Sequence, residues 1–359
     1  MKLGAIPFES INTCHTMIKI HNYKYWNIAL LCFFAVACSQ PAKKDTDATT
    51  VCKPTGGVTI MNDIYPVDHI LCVDSLLYLA QDDDDAMVQV YDDSGNLVAS
   101  GITIGQGKDD VLEISSVHSG DRKVYLYDSR MGKIHSVSVA GGKLTSAVLC
   151  GGLRLFDDAV LLPDSTLLVA TVNSNNSYLL IDESGTVTDS LSYFPAKPDG
   201  IADETHHLAC SGELAYSQTD STFARILAYD GGIDFFRISG GHISHTGRHA
   251  LFDMEYTTLN GDSRLPVPSE DSKVGYLNLC VTPKYYYTSF SGSKISENPD
   301  ALCDEIHVFD HQGNLQYKIM LENPVVTFCV SRDDRQLFVV ENDDEIVSVK
   351  KYIMNRSDS

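Results

Sequence analysis

His242, His245 and His249, with Asp253 and Glu255 a few positions on, come nearer to metal chemistry by type and spacing than any other group in this chain. Imidazole nitrogens bind zinc, and catalytic zinc sites often take three protein ligands and one water. No His-Glu-x-x-His run accompanies the cluster, and Gly240, Gly241 and Gly247 point to an irregular connection rather than a helix that would align ligands. An exposed loop is the competing reading. The consecutive carboxylates Asp82, Asp83, Asp84 and Asp85 supply the hard oxygen donors that suit calcium. Consecutive side chains cannot all turn to one ion, so a solvated acidic loop competes with a calcium site there. The pairs Asp109-Asp110, Asp157-Asp158, Asp333-Asp334 and Asp343-Asp344 also read as loops, and would make a cation site only if the fold gathered several at one place.

Other chemistry is absent at the level of motif. There is no G-x-S-x-G and no cysteine in a recognisable catalytic signature, so no catalytic residue is assigned. Gly105-Gln106-Gly107 lacks the remaining glycine and the lysine of a phosphate cradle and reads as a turn. No cofactor motif is present, which leaves calcium as the one ion the acidic loops suit.

The elements that must position these residues are strands. An apolar segment carrying cysteine recurs with an aromatic six residues later: Cys72 with Tyr78, Cys210 with Tyr216, Cys280 with Tyr286, and Cys329 with Phe338 after a short lengthening. A second phrase alternates apolar residues up to an aspartate followed by a glycine turn, at Asp92-Gly95, Asp128-Gly132, Asp182-Gly185, Asp230-Gly231 and Asp310-Gly313. Self-similarity on this scale marks a repeat architecture. The runs are short and rich in Val, Ile, Leu, Tyr and Phe, and Asp, Ser, Gly and Asn bound them, as in antiparallel sheets. In Tyr285-Tyr286-Tyr287, strand alternation directs the first and third rings to the face opposite the second.

A small sheet leaves an exposed edge and an apolar face that it cannot bury alone. Radial stacking around a channel solves both problems. The phrases divide the chain near 63–104, 105–146, 147–197, 198–250, 251–320 and 321–355, giving an all-β, six-bladed β-propeller. After Leu321 only three strand-like runs remain, so the last blade lacks one strand; Gly56 to Met61 is expected to supply it and close the ring. The stretch His242 to Lys273 is longer than the other connections and marks a candidate binding face.

The amino-terminal region reads as an export signal. Lys19 and Lys24 precede an apolar run from Ile28 to Ala37, too short to span a bilayer, which needs about 20 residues. It ends in Ala35-Val36-Ala37-Cys38, similar to a bacterial lipobox, with Met17 as an alternative start. On that resemblance residues 1–37 are a lipoprotein signal peptide, Cys38 is acylated, 38–51 form a polar tether and 52–359 form the propeller domain. Ordinary signal cleavage near Cys38 is the alternative.

The chain has 27 basic and 48 acidic residues, a net charge of −21. That balance argues against nucleic acid as a partner, because binding it needs a basic footprint. Seven cysteines remain from Cys52 onward, an odd number, and the repeated ones read as small buried hydrophobes between blades, with disulfides as the alternative in an oxidising compartment.

A lipobox, a polar tether and repeats such as Val90-Tyr91-Asp92-Asp93-Ser94-Gly95-Asn96-Leu97 together resemble the TolB-like six-bladed propeller lipoproteins abundant in Bacteroidetes. Ile104-Gly105-Gln106-Gly107 resembles that family's Gly-x-Gly link between the first two blades, departing at Lys108, where proline is usual. The resemblance covers about 60–355 and implies a propeller lipid-anchored to the bacterial envelope, with the outer membrane as the expected location. Two functions are expected. One is a binding module for a protein, peptide or glycan, anchored to the membrane through Cys38; the other is a cation-dependent hydrolase or lyase with its site at the channel mouth.

Overall fold

A computed structural model describes residues 50–354 apart from 82–85, 108–109, 121, 154–155, 173, 228–229, 259–264, 299–300 and 344–345. Cys38 and the acidic run Asp82 to Asp85 lie outside the described residues. The chain enters with β1 (Thr50–Cys52) and β2 (Thr55–Ile64). Blade 1 is β3 (Val67–Val73), β4 (Leu76–Gln81), β5 (Val88–Asp92) and β6 (Leu97–Gly101); blade 2 is β7 (Ser116–Gly120), β8 (Lys123–Asp128), β9 (Lys133–Ala140) and β10 (Lys143–Gly151). Blade 3 is β11 (Asp158–Leu161), β12 (Leu167–Ala170), β13 (Tyr178–Ile181) and β14 (Val187–Leu191). The short helix α1 (Asp203–Ala209) leads into blade 4: β15 (Leu214–Ser217), β16 (Thr222–Ile226), β17 (Gly232–Ser239) and β18 (His242–Ala250). A two-stranded insert, β19 (Thr257–Thr258) and β20 (Pro266–Val267), precedes blade 5, made of β21 (Tyr276–Val281), β22 (Tyr285–Phe290), β23 (Cys303–Asp310) and β24 (Leu315–Val325). Blade 6 has only three strands of its own, β25 (Thr327–Val330), β26 (Gln336–Asp343) and β27 (Ile346–Ile353).

Each blade is an antiparallel meander, and the inner strands touch in sequence, β3, β7, β11, β15, β21, β25 and back to β3. The missing strand of blade 6 is β2, antiparallel to β27 with Thr55 opposite Ile353 and Ile64 opposite Val347. This is the closure expected from the incomplete last repeat. In addition, β1 lies parallel against β24 on the outer edge of blade 5, with Thr50 opposite Tyr317.

The core explains why the strands carry so little polar residue. There is one apolar layer per blade junction, because successive side chains of a strand point to opposite faces. Phe338 and Val340 pack toward blade 1, whereas Leu337 and Val339 pack toward blade 5. Phe235 faces blade 5 and Phe236 faces blade 3; Tyr286 faces blade 4 and Tyr287 faces blade 6, the alternation expected for the tyrosine run. All seven cysteines from Cys52 to Cys329 are free thiols. Cys72, Cys280 and Cys329 share one place on the inner strands of three consecutive blades. Cys210 does not, because it caps the end of α1.

The aspartate phrase also divides in two. In blades 1, 3 and 5 it forms the hairpin between the third and fourth strands. There one carboxylate oxygen of Asp92, Asp182 or Asp310 accepts the backbone N–H groups two and four residues on, each at 2.9 Å. In blades 2 and 4 that hairpin is instead a two-residue Gly-Gly turn, Gly141-Gly142 and Gly240-Gly241, with positive φ at all four glycines, as a type I′ turn demands. Asp128 and Asp230 therefore fall between second and third strands, at the opposite end of the molecule.

Gly95 matters beyond its turn. Its φ is +85°, and a Cβ there would lie 2.0 Å from the carbonyl oxygen of Ile60 on β2. Gly95→Ala is expected to cost about 2–4 kcal/mol by combining left-handed strain with a clash at the closure seam. Urea denaturation checks it, and a loss below about 0.5 kcal/mol would show that the seam yields freely.

Candidate functional site

Meander topology sorts the connections between the two ends of the channel. First-to-second and third-to-fourth strand hairpins lie at one end; the second-to-third and blade-to-blade connections lie at the other. The longest connections, 192–213 with α1 and 251–275 with β19 and β20, are blade-to-blade, so they gather at the end where the inner strands begin. They pack on each other through Phe194, Ile201, Ala209, Cys210, Met254 and Tyr256, and His206 bonds the Tyr256 hydroxyl at 2.8 Å.

At that same end the inner strands present polar residues to the axis. His69, Ser116, His118, Asp158, Glu213 and Asn278, from five blades, line a cavity of about 740 Å³, its open mouth included, to which blade 6 adds Thr327 and Phe328. Deeper in, Ser119, Tyr216 and Cys280 border both this cavity and the one that opens at the opposite end.

Asp158 is the hub of the arrangement. Its carboxylate accepts the Ser116 hydroxyl at 2.6 Å, His118 Nε2 at 2.9 Å and the backbone N–H groups of Ala159 at 2.7 Å and Leu214 at 3.1 Å. Burial pushes its pKa up, but His118, Ser116 and Arg225 outweigh burial and hold it below the ordinary aspartate value. A carboxylate has about four lone-pair sites, so donors from blades 2, 3 and 4 occupy Asp158 and leave it little to offer a ligand. Its neighbour Asp157 accepts Ser211 Oγ at 2.5 Å and Gly212 N–H at 3.0 Å and pairs with the buried Arg225 guanidinium of β16.

Glu213 is different. Its Oε2 accepts the Leu279 N–H of blade 5 at 2.9 Å, its second oxygen has no hydrogen-bond partner among the described residues, and the residue lines the cavity. Burial pushes its pKa up to about 8, against the Leu279 N–H and Arg225 and with Asp158, so the carboxyl group carries a proton at neutral pH. His69 is pulled below the ordinary histidine value by burial, which outweighs Asp68 and Asp158. Asn278, which lines the cavity, donates its Nδ2 to Ser289 Oγ at 3.2 Å and to the Val326 carbonyl at 2.9 Å, and its Oδ1 takes no hydrogen bond among the described residues. The channel end thus holds a protonated acid, an amide and two imidazoles beside the occupied carboxylate of Asp158.

The histidine cluster lies elsewhere. His242, His245 and His249 sit on β18, the outermost strand of blade 4, not on an irregular connection; the long connection starts only after Ala250. His242 bonds Asp189 at 3.2 Å, His245 bonds Asp234 at 3.0 Å while stacking on Tyr193, and His249 packs on Phe309. Among the described residues no group of three or more His, Cys, Asp or Glu side chains is arranged to hold a metal ion, so this strand does not bring its histidines together. Asp158 is a buried strand residue rather than half of a solvated pair, and Asp334 is buried on the hydroxyls of Thr282 and Tyr287. Asp110 closes the link after blade 1 by accepting the Gly107 N–H, so Gly105-Gln106-Gly107 is a turn.

The sequence reading passed over His69, His118, Glu213 and Asn278. One signal was available: in three repeats a polar residue precedes the repeated cysteine by two or three positions, His69 before Cys72, Asn278 before Cys280 and Thr327 before Cys329.

Comparison with known proteins agrees with this architecture. In solved structures, similarity extends to a Bacteroides fragilis protein named "Putative exported protein", with 12% identity, a TM-score of 0.52, and coverage of 86% of this chain and 99% of that one. Raptor of Chaetomium thermophilum aligns with 11% identity and a TM-score of 0.48 over 86% of this chain and 29% of its own. A search of curated proteins finds no match to the chain. The model of the TolB-like 6-blade propeller-like family matches residues 65–333, and with six blades in a closed ring around the channel, the chain belongs to that family.

Proposed function

We propose that this protein is an exported propeller, anchored to the cell envelope through acylated Cys38 with the outer membrane as its location. In this reading it works as a binding module for a protein, peptide or glycan, engaged at the polar end of the channel. The observation that carries the reading is the convergence of polar groups from five blades on one cavity, at the end where the long connections gather. Insertions on one face of a repeat ring are a common place for ligands. The family membership and the similarity to a Bacteroides protein named as exported support the location. Binding is favoured over acid–base catalysis because Asp158, the carboxylate best placed to act as a base, is already occupied by four protein donors.

The test combines the mature protein's amino terminus with its channel. Mass spectrometry of envelope-purified protein should find acylated Cys38, and an unmodified start at another residue would end the anchoring part. Screened on peptide and glycan arrays, the protein should give ligands whose binding falls at least tenfold in Ser119→Trp, which fills the channel at an exposed position. Binding that survives this substitution, with circular dichroism unchanged, would move the site off the channel.

A further inference from the structure

Resting on that reading, we propose that the channel end recognises the acetamido group of an N-acetylated amino sugar, with Glu213 donating to the carbonyl oxygen and Asn278 accepting the amide N–H. A trans secondary amide offers one acceptor and one donor on opposite edges of its plane, so its two partners must flank it. Two protein groups with matching vacancies line one cavity: the Glu213 carboxyl accepts the N–H of Leu279, the residue after Asn278. Glu213 and Asn278 line the same cavity, and among the described residues no hydrogen bond engages the other Glu213 oxygen or Asn278 Oδ1.

The surroundings select the remainder of the ligand. His118, His69, Thr327 and Ser119 line the same cavity and suit the hydroxyls of a sugar, while the half-buried Tyr216 gives its C–H face a ring to lie on. A peptide would place its alternating side chains against these polar groups. A charged sugar fits worse, because an ion desolvated in the channel finds no free counter-charge: Asp158 is occupied and Arg225 is paired with Asp157.

Donation from Glu213 requires its proton, which burial retains up to a pH of about 8. The charged and titratable groups around it are Asp158 on β11 and Asp157 just before it, Arg225 on β16, His118 on β7, His69 on β3, Tyr216 on β15 and Cys280 on β21. Glu213→Gln keeps all of them and replaces the acid by an amide that donates at any pH.

The experiment is calorimetric titration of the full mature protein with N-acetylglucosamine at pH 6.0 and pH 9.5, beside glucose, glucosamine and a blocked N-acetyl amino acid methylamide. The expected result is binding of N-acetylglucosamine at least tenfold tighter than glucose or glucosamine at pH 6.0, a loss of at least tenfold at pH 9.5, and pH-independent binding by Glu213→Gln. Equal binding of glucose, no loss at high pH, or a pH effect that persists in Glu213→Gln overturns the proposal. Preference for the blocked amino acid overturns the sugar assignment. If none of these probes binds while an array ligand still depends on Ser119, the acetamido proposal fails and the channel module stands; if nothing depends on Ser119, both fail.

Discussion

A chain beginning at residue 65 is expected to lose about 5 kcal/mol of stability relative to one beginning at residue 50, and to aggregate. The deletion removes β2, which pairs with β27 along six registered positions and buries Met61 against blade 1. Net backbone hydrogen bonds contribute about 1 kcal/mol each, and a fully buried methionine about 2 kcal/mol, so even a discounted sum is large. Domains of this kind are stable by only about 5–15 kcal/mol, so the loss consumes a large share of that margin. The exposed edge of β27 then becomes a template for pairing with other chains. Urea denaturation and light scattering check both parts. A truncated chain that stays monomeric with an unchanged midpoint would show that blade 6 closes without its fourth strand.

Asp158→Ala is expected to cost about 4 kcal/mol at pH 7. The substitution leaves Ser116 Oγ, His118 Nε2 and the Leu214 N–H without their acceptor, in a region where Ser116 and Leu214 are buried. Each stranded donor costs about 1–3 kcal/mol, partly offset by removing a buried charge. Because the folded-state pKa of Asp158 is held below its ordinary value of 3.8, its contribution is present above that value and is lost as the pH falls through the lower, folded one. The gap between wild type and Asp158→Ala should therefore be full at pH 7 and shrink below pH 3.8. A gap below about 1 kcal/mol at pH 7, or one that widens in acid, would remove Asp158 from the centre of the arrangement. Glu213 has the opposite sign, since its raised pKa gives stability at low pH that is lost as the pH rises toward about 8.

The blade count was legible because the strands obey a period of two over runs such as Phe338 to Val340, and each face has a neighbouring blade to bury against. The incomplete last repeat made the role of β2 legible as well. Ala209-Cys210 reads as another inner strand because it is apolar and followed by Tyr216, yet Asp203 and Glu204 in the first turn and His206 and His207 in the last make it a helix end. The turns after Asp128 and Asp230 were grouped with Asp92 by residue type alone, since sequence spacing does not say which hairpin a glycine serves.

The site was far less legible. His242, His245 and His249 stand together along the chain but take separate partners once the strand is paired, whereas Asp158, Glu213 and Asn278 are scattered along it and meet only when the ring closes. They also differ in type from blade to blade, so no repeat phrase contains them. Asp158 was visible only as half of an acidic pair, and nothing about its letter showed that donors from three blades would consume its acceptor capacity.

The parallel strand β1 has a mechanical consequence. Its three residues lie on the rim of blade 5, and the next strand along the chain is the clasp of blade 6. Tension on the amino terminus loads that short ladder first and spares the clasp until β1 has peeled away. The rim strand is a strain relief, like the collar on a cable, guarding the joint whose failure would uncoil the wheel.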